Sequence, residues 1–131
     1  VHGLGFFMET MVMTTRIYRD RDGWNAVSQF ELSARRVLKI RTCKRSIGAG
    51  LQTTASVWHD TGDGSMRHAM GLGTGCGDFS QTLMLTQPKR ITEKAVTEQH
   101  ESILRELASI RVKVEQFYAL QREENEATTA A

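Results

Sequence analysis

Lys39, Arg41, Cys43 and Arg45 occupy every second position of the stretch Arg35–Arg45 (RRVLKIRTCKR), and Leu38, Ile40 and Thr42 fill the places between them. A strand points successive side chains to opposite faces, so this spacing makes one apolar face and one basic face. The same alternation sets Arg16 and Tyr18 against Thr15 and Ile17, and Gln52, Thr54, Ser56 and Trp58 against Ala55 and Val57. If the polar faces share one side of a sheet, Arg16, Tyr18, Lys39, Arg41, Arg45 and Trp58 form a surface of cations interleaved with aromatic rings. Such a surface can hold a single strand of nucleic acid, because cations neutralise phosphates while rings stack on bases. Alternation is also what any antiparallel sheet displays when a helix covers one face and water the other, where strand charges discourage edge pairing. Trp58 shifts the balance slightly toward the first reading, since an exposed tryptophan needs a reason, and capping of the core or of an interface is an equal alternative for it.

Other chemistry finds less support. His59, Asp60, His68 and Cys76 cluster loosely, but zinc sites use tight pairs such as Cys-x-x-Cys or His-x-x-x-His, and none is present. No metal is expected. His59 with Asp60 and His68 lacks a nucleophile of the Gly-x-Ser-x-Gly kind, so no enzymatic activity is expected either. Gly71–Gly77 (GLGTGCG) matches neither the dinucleotide fingerprint nor the phosphate-loop pattern, and it reads as a loop beside the sheet without a cofactor. The six methionines fill core gaps or an adaptable interface. Cys43 and Cys76 are read as free thiols.

The elements that must position these residues are legible in order. Met11–Arg19 is rich in β-branched residues and is followed by Asp22-Gly23, a hairpin signal. Trp24–Leu32 returns antiparallel, Arg35–Arg45 is the clearest strand, and Leu51–His59 follows a turn holding two glycines. A second Asp-Gly pair, Asp63-Gly64, precedes a weaker fifth strand over Ser65–Leu72. Asp78–Thr86 reads as a short helix with a capping-box start, with a strand as the alternative. Pro88 keeps the final helix from starting before it, and Thr92 or a neighbour is its N-cap.

Over Ile91–Glu124, Val96, Ile103, Leu107, Ile110, Val114 and Phe117 recur in steps of three and four, with His100 filling one step. This stripe keeps a heptad period, and Leu104, Ala108 and Tyr118 widen it. One long helix with two tasks is expected: closing the core of its own subunit and forming the seam of a homodimer. A polar residue such as His100 on that stripe sets register or meets water. The fold class is therefore α+β, an antiparallel meander sheet of four or five strands with one long C-terminal helix packing on one face. A poorly ordered extension over 1–10 and a frayed tail over 125–131 flank one domain over 11–124, with its sheet over 11–72, its glycine loop over 71–77 and its helix over 91–124.

The 131 residues suffice for one core, and 40% hydrophobic and 24% charged residues are globular values. No apolar run reaches the roughly 18 residues of a membrane span, and no signal-peptide pattern opens the chain, so a cytoplasmic protein without membrane partners is expected. Up to Arg90 there are 12 Lys and Arg against 7 Asp and Glu, and after it 5 against 8. The basic charge thus belongs to the sheet, which points to an anionic partner there.

Four hairpin-linked strands over Met11–His59, followed by one long helix, resemble the whirly-type and transcriptional-cofactor-type single-stranded nucleic-acid-binding folds. The resemblance is one of element order. It implies that the sheet meets the nucleic acid through Arg16, Tyr18, Lys39, Arg41, Arg45 and Trp58 while the helix helps dimerise. The extra segment Ser65–Leu72 and the glycine loop depart from the simplest version. The chain is also similar to orphan products of plasmids and integron gene cassettes, which implies no particular activity. A protein-interaction module and a small-molecule binder using a hollow near His59, His68 and Cys76 are the alternatives.

Overall fold

The structure is a computed structural model, and it describes residues 13–33, 35–60, 66–68 and 79–130. The expected extension over 1–10, the Asp63-Gly64 turn, the glycine loop and Cys76 lie outside the described residues. Strands β1 (Met13–Asp20), β2 (Gly23–Ser33), β3 (Arg36–Lys44) and β4 (Leu51–Asp60) form the expected antiparallel meander. β5 (Met66–His68) pairs with the end of β4, and β6 (Ser80–Thr86) pairs with its beginning, so the two share one flank of β4. The helical expectation over Asp78–Thr86 is corrected: this segment holds a strand. Its hydroxyl-rich, β-branched composition suits a partly covered edge, and β4 offers an unpaired flank that a helix could not satisfy.

The hairpin turns follow from local chemistry. Asp22 N–H donates to Asp20 Oδ1 at 2.9 Å, and Gly23 takes φ +119°, which closes β1 onto β2. Gly50, between β3 and β4, has φ +118°, and a Cβ there would lie 2.9 Å from the Thr86 carbonyl oxygen. Only glycine allows the turn and β6 to approach so closely.

The C-terminal segment is two helices, α1 (Glu93–Leu104) and α2 (Leu107–Ala130), which corrects the expectation of one long helix. Thr92 is the N-cap, its Oγ1 accepting from Ala95 N–H at 3.1 Å. Glu106 N–H donates to the Ile103 carbonyl at 2.9 Å, an i to i−3 bond that tightens one turn and splits the helix without proline or glycine. Because the apolar stripe crosses this turn without losing phase, periodicity alone could not reveal it. α2 also continues to Ala130, past the expected end near Glu124.

Both helices pack on one face of the sheet. α1 covers β2, β3 and β4. Val96 joins Ala26 and Leu51 in one small apolar cluster near the hairpin tips. Ile103, Ile110, Val114 and Tyr118 join Phe30, Leu38, Ile40, Val57 and Phe79 in a larger one. Each fully buried aliphatic side chain contributes about 1.5–3 kcal/mol relative to exposure. The Arg36 guanidinium, 4.1 Å from the Tyr118 ring centroid, ties β3 to α2.

Alongside these clusters runs a polar layer. His100, 2% exposed, lies 2.8 Å from Ser28 Oγ through Nε2 and 2.8 Å from Thr42 Oγ1 through Nδ1. Thr42 Oγ1 is 2.7 Å from Thr53 Oγ1, which accepts from Gln99 Nε2 at 3.1 Å. Gln99 also accepts from the Thr86 hydroxyl, and Ser28 reaches Thr15 on β1 at 2.9 Å. The layer joins five strands to α1, so His100 does serve the register of helix on sheet.

Candidate nucleic-acid interface

The register decides which side chains share the face opposite the helices. Arg16 pairs with Val27, Val27 with Arg41, and Arg41 with Thr54. One step along, Gln29 pairs with Lys39 and Lys39 with Ser56; beyond that, Val37 pairs with Trp58. Arg16, Tyr18, Lys39, Arg41 and Trp58 therefore lie on one side, and no described helix covers them. Arg16, Tyr18, Lys39 and Arg41 line a shallow cleft of about 220 Å³, floored by Val27 and Gln29. Arg45 is absent from the lining of this cleft and borders a neighbouring one with Arg41. β3 ends at Lys44, so the alternation stops before Arg45, which turns back over Gly48 in the following bend.

Within this face the cations are supported by neutral groups. Arg41 Nη2 donates to Asn25 Oδ1 at 2.9 Å. Lys39 Nζ sits 4.2 Å from the Trp58 ring centroid, and the Arg16 guanidinium 5.1 Å from that of Tyr18. Trp58 Nε1–H donates to Ser56 Oγ at 2.9 Å, which fixes the ring on β4. Among the described residues, ion pairs join Lys94 to Glu98 and Arg111 to Glu115 on the helices, whereas Arg16, Lys39 and Arg41 are in none. Partial burial, and then the neighbouring Arg41 charge, hold the Lys39 ammonium below its usual pKa. Uncompensated repulsion of this kind is relieved when an anion arrives.

A second, larger cleft of about 560 Å³ opens between the β1–β2 and β3–β4 hairpin tips. Arg41 lines both clefts, so they adjoin at this residue. Asp20 and Asp22 stand on the β1–β2 side, Lys44 and Arg45 on the β3–β4 side, and Trp24, Asn25, Gln52 and Cys43 between them. Burial pushes the Cys43 thiol up, Arg41 pulls it down and Asp20 pushes it up again, which places the thiol within the field of both walls.

The six residues expected to form a dimer seam are placed differently. Val96, Ile103, Ile110 and Val114 are buried against the chain's own sheet, and Leu107 and Phe117 pack on the same core. A seam built from them would require the helices to leave the sheet. Among the described residues of α2, Val112 and Leu120 are the exposed large apolar side chains.

Sequence reasoning overlooked the β2 contribution: Asn25 holds Arg41, while Val27 and Gln29 floor the face. The alternation within WNAVSQFEL carried that signal. His59 is partly exposed on β4, and His68 is placed in β5 by its backbone. Among the described residues, no three His, Cys, Asp or Glu side chains cluster as a metal site, and no helix is long and apolar enough to cross a membrane. Among the described residues, the space between sheet and helices holds the polar layer and the two apolar clusters; the hollow of the small-molecule alternative was expected near Cys76, which lies outside them. No protein-family model, curated protein or solved structure matches this chain.

Proposed function

We propose that the chain binds single-stranded nucleic acid on the open face of its sheet. One observation carries this reading: three cations that are in no ion pair among the described residues share with two aromatic rings a face that no described helix covers. In the free protein the rings are capped by cations, each contact worth about 0.5–1 kcal/mol at such exposed sites. A strand would draw Lys39 and Arg16 onto its phosphates and leave Trp58 and Tyr18 to stack on bases, exchanging one set of contacts for a stronger one.

Anisotropy of labelled single-stranded and duplex oligonucleotides at two salt concentrations tests it. The expected result is micromolar or tighter binding that prefers the single strand and weakens with salt. Absence of binding at low salt would sink the reading and favour a protein partner. A homodimer belongs to this proposal only through the outer side of α2. Leu120→Glu should then shift sedimentation toward monomer, and an unchanged profile would remove that surface.

A further inference from the structure

We infer that the cleft between the two hairpin tips binds a nucleotide phosphomonoester, with the phosphate on Arg41, Lys44 and Arg45 and the sugar hydroxyls toward Asp22, Asn25 and Gln52. The inference deepens the proposed function by giving the bound strand an end site, and it rests on that reading for the polymer as source; a free nucleotide offers the same chemistry.

The argument is one of size, charge and placement. A cleft of about 560 Å³ falls within the roughly 300–1,000 Å³ of small-ligand sites and suits one nucleotide better than a run of them. Its walls carry opposite charge. Three cations on and after β3 match the dianion of a phosphomonoester, whereas a phosphodiester brings only one negative charge. The carboxylates across the cleft would repel a bare anion, but they accept hydrogen bonds from hydroxyl or amino groups attached to one. A ligand acidic at one end and hydrogen-donating at the other satisfies both walls.

The walls are also held in place. Asp20 Oδ1 accepts from the Asp22 N–H at 2.9 Å, which tightens the β1–β2 tip, and both residues line the cleft. Arg45 N–H donates to the Gly50 carbonyl at 3.0 Å, and a Cβ on Gly48 would lie 3.6 Å from Arg45 Nη1, so the guanidinium is folded over its own turn. Asn25 holds Arg41, the residue at which this cleft meets the open face. A strand crossing that face past Arg41 would bring its end here. Trp24 borders this cleft while packing on Ala26, Leu51 and Val96, with the Arg19 guanidinium 5.9 Å from its ring centroid, so it reports on the cleft without being free to stack on a base.

Trp24 also provides the readout, because the chain contains two tryptophans and Trp58 lies on the open face. In the Trp58→Phe variant, Trp24 emission is titrated with adenosine 5′-monophosphate, with adenosine and with inorganic phosphate. The monophosphate should bind at least about tenfold more tightly than either, equivalent to roughly 1.4 kcal/mol. Lys44→Glu, at an exposed position, and Arg45→Gln should each abolish that preference with circular dichroism unchanged. Equal affinity for adenosine and its monophosphate would overturn the inference, as would phosphate binding as tightly as the nucleotide. A preference that survives both substitutions would overturn it too. Anisotropy of strands with and without a 5′-phosphate separates the sources: an end-phosphate advantage lost in Lys44→Glu assigns the strand end, and equal binding of the two strands assigns the free nucleotide. If nucleotide binding persists while Arg16→Glu with Lys39→Glu leaves strand affinity unchanged, the open-face reading fails and the cleft stands alone.

Discussion

On the helix side of β3, Thr42 ends in a closed chain of hydrogen bonds; one residue earlier, on the opposite face, Arg41 ends in a cleft with one amide holding it. The same strands build both regions, and the difference lies in what completes each side chain. Inside, the direction of every bond can be worked out. The Leu51 carbonyl can only accept, so it meets the Gln99 nitrogen, which also donates to Thr53. The Thr53 hydroxyl therefore passes its hydrogen to Thr42, Thr42 to His100 Nδ1, His100 Nε2–H to Ser28, and Ser28 to Thr15. The reverse order would leave the Thr53 hydrogen without an acceptor among these partners. The inner layer is saturated and belongs to folding. Among the described residues, Arg16, Lys39 and Arg41 on the outer face are in no ion pair, and the proposed strand would supply their counter-charge.

The strongest way to break this comparison is to remove the hub of the inner layer. His100→Ala should cost about 4 kcal/mol, because it opens a cavity and leaves two buried hydroxyls short of a partner. Urea unfolding measures it, and a loss under about 1 kcal/mol would mean the layer is dispensable. Acid gives a graded version of the same test. Burial lowers the His100 pKa from 6.5 to about 4, so the unfolded chain takes up this proton at higher pH than the folded one. Stability from His100 is complete above about pH 6.5 and is lost as pH falls toward 4, by about 3 kcal/mol at 1.36 kcal/mol per unit. His100→Gln should flatten that part of the pH profile. An unchanged slope would show that another group titrates there.

How much was legible in the sequence follows the same division. The four long strands, the basic alternation and the Thr92 cap depend on neighbours in sequence, and each could be read from them. His100 was legible as an interruption of the stripe, but its partners are 72 and 58 residues away in sequence, so the layer could be known only once register was fixed. The stripe itself reported an apolar face without naming what covers it; a heptad period fits a partner helix and a flat sheet equally well. β6 was ambiguous because its pairing depends on an unpaired flank of β4, a tertiary fact. Arg45 lies one residue past the end of β3, where alternation no longer applies, yet it lines the larger cleft with Arg41 and Cys43.

The outer face should respond in binding rather than in folding. If each cation meets one phosphate, replacing Lys39 and Arg41 with Gln should lower the slope of log affinity against log salt by about 2. An unchanged slope would place the phosphate contacts elsewhere. Trp58→Ala should weaken binding by about 1–3 kcal/mol if a base stacks there.

Lys39→Met carries the smallest expected change in stability and the sharpest discrimination. The substitution keeps an unbranched apolar stem on Trp58 but removes the charge that Arg41 repels, so stability should move by no more than about 0.5 kcal/mol, toward the folded state if at all. Affinity for the strand should fall in the same variant. Should Lys39→Met instead cost more than about 1 kcal/mol, its ammonium contact with Trp58 would be part of the fold, and the outer face would be as saturated as the inner one. A neutral change in stability together with lost binding would mean that the chain keeps two like charges side by side, and bears their repulsion, for the sake of what they hold.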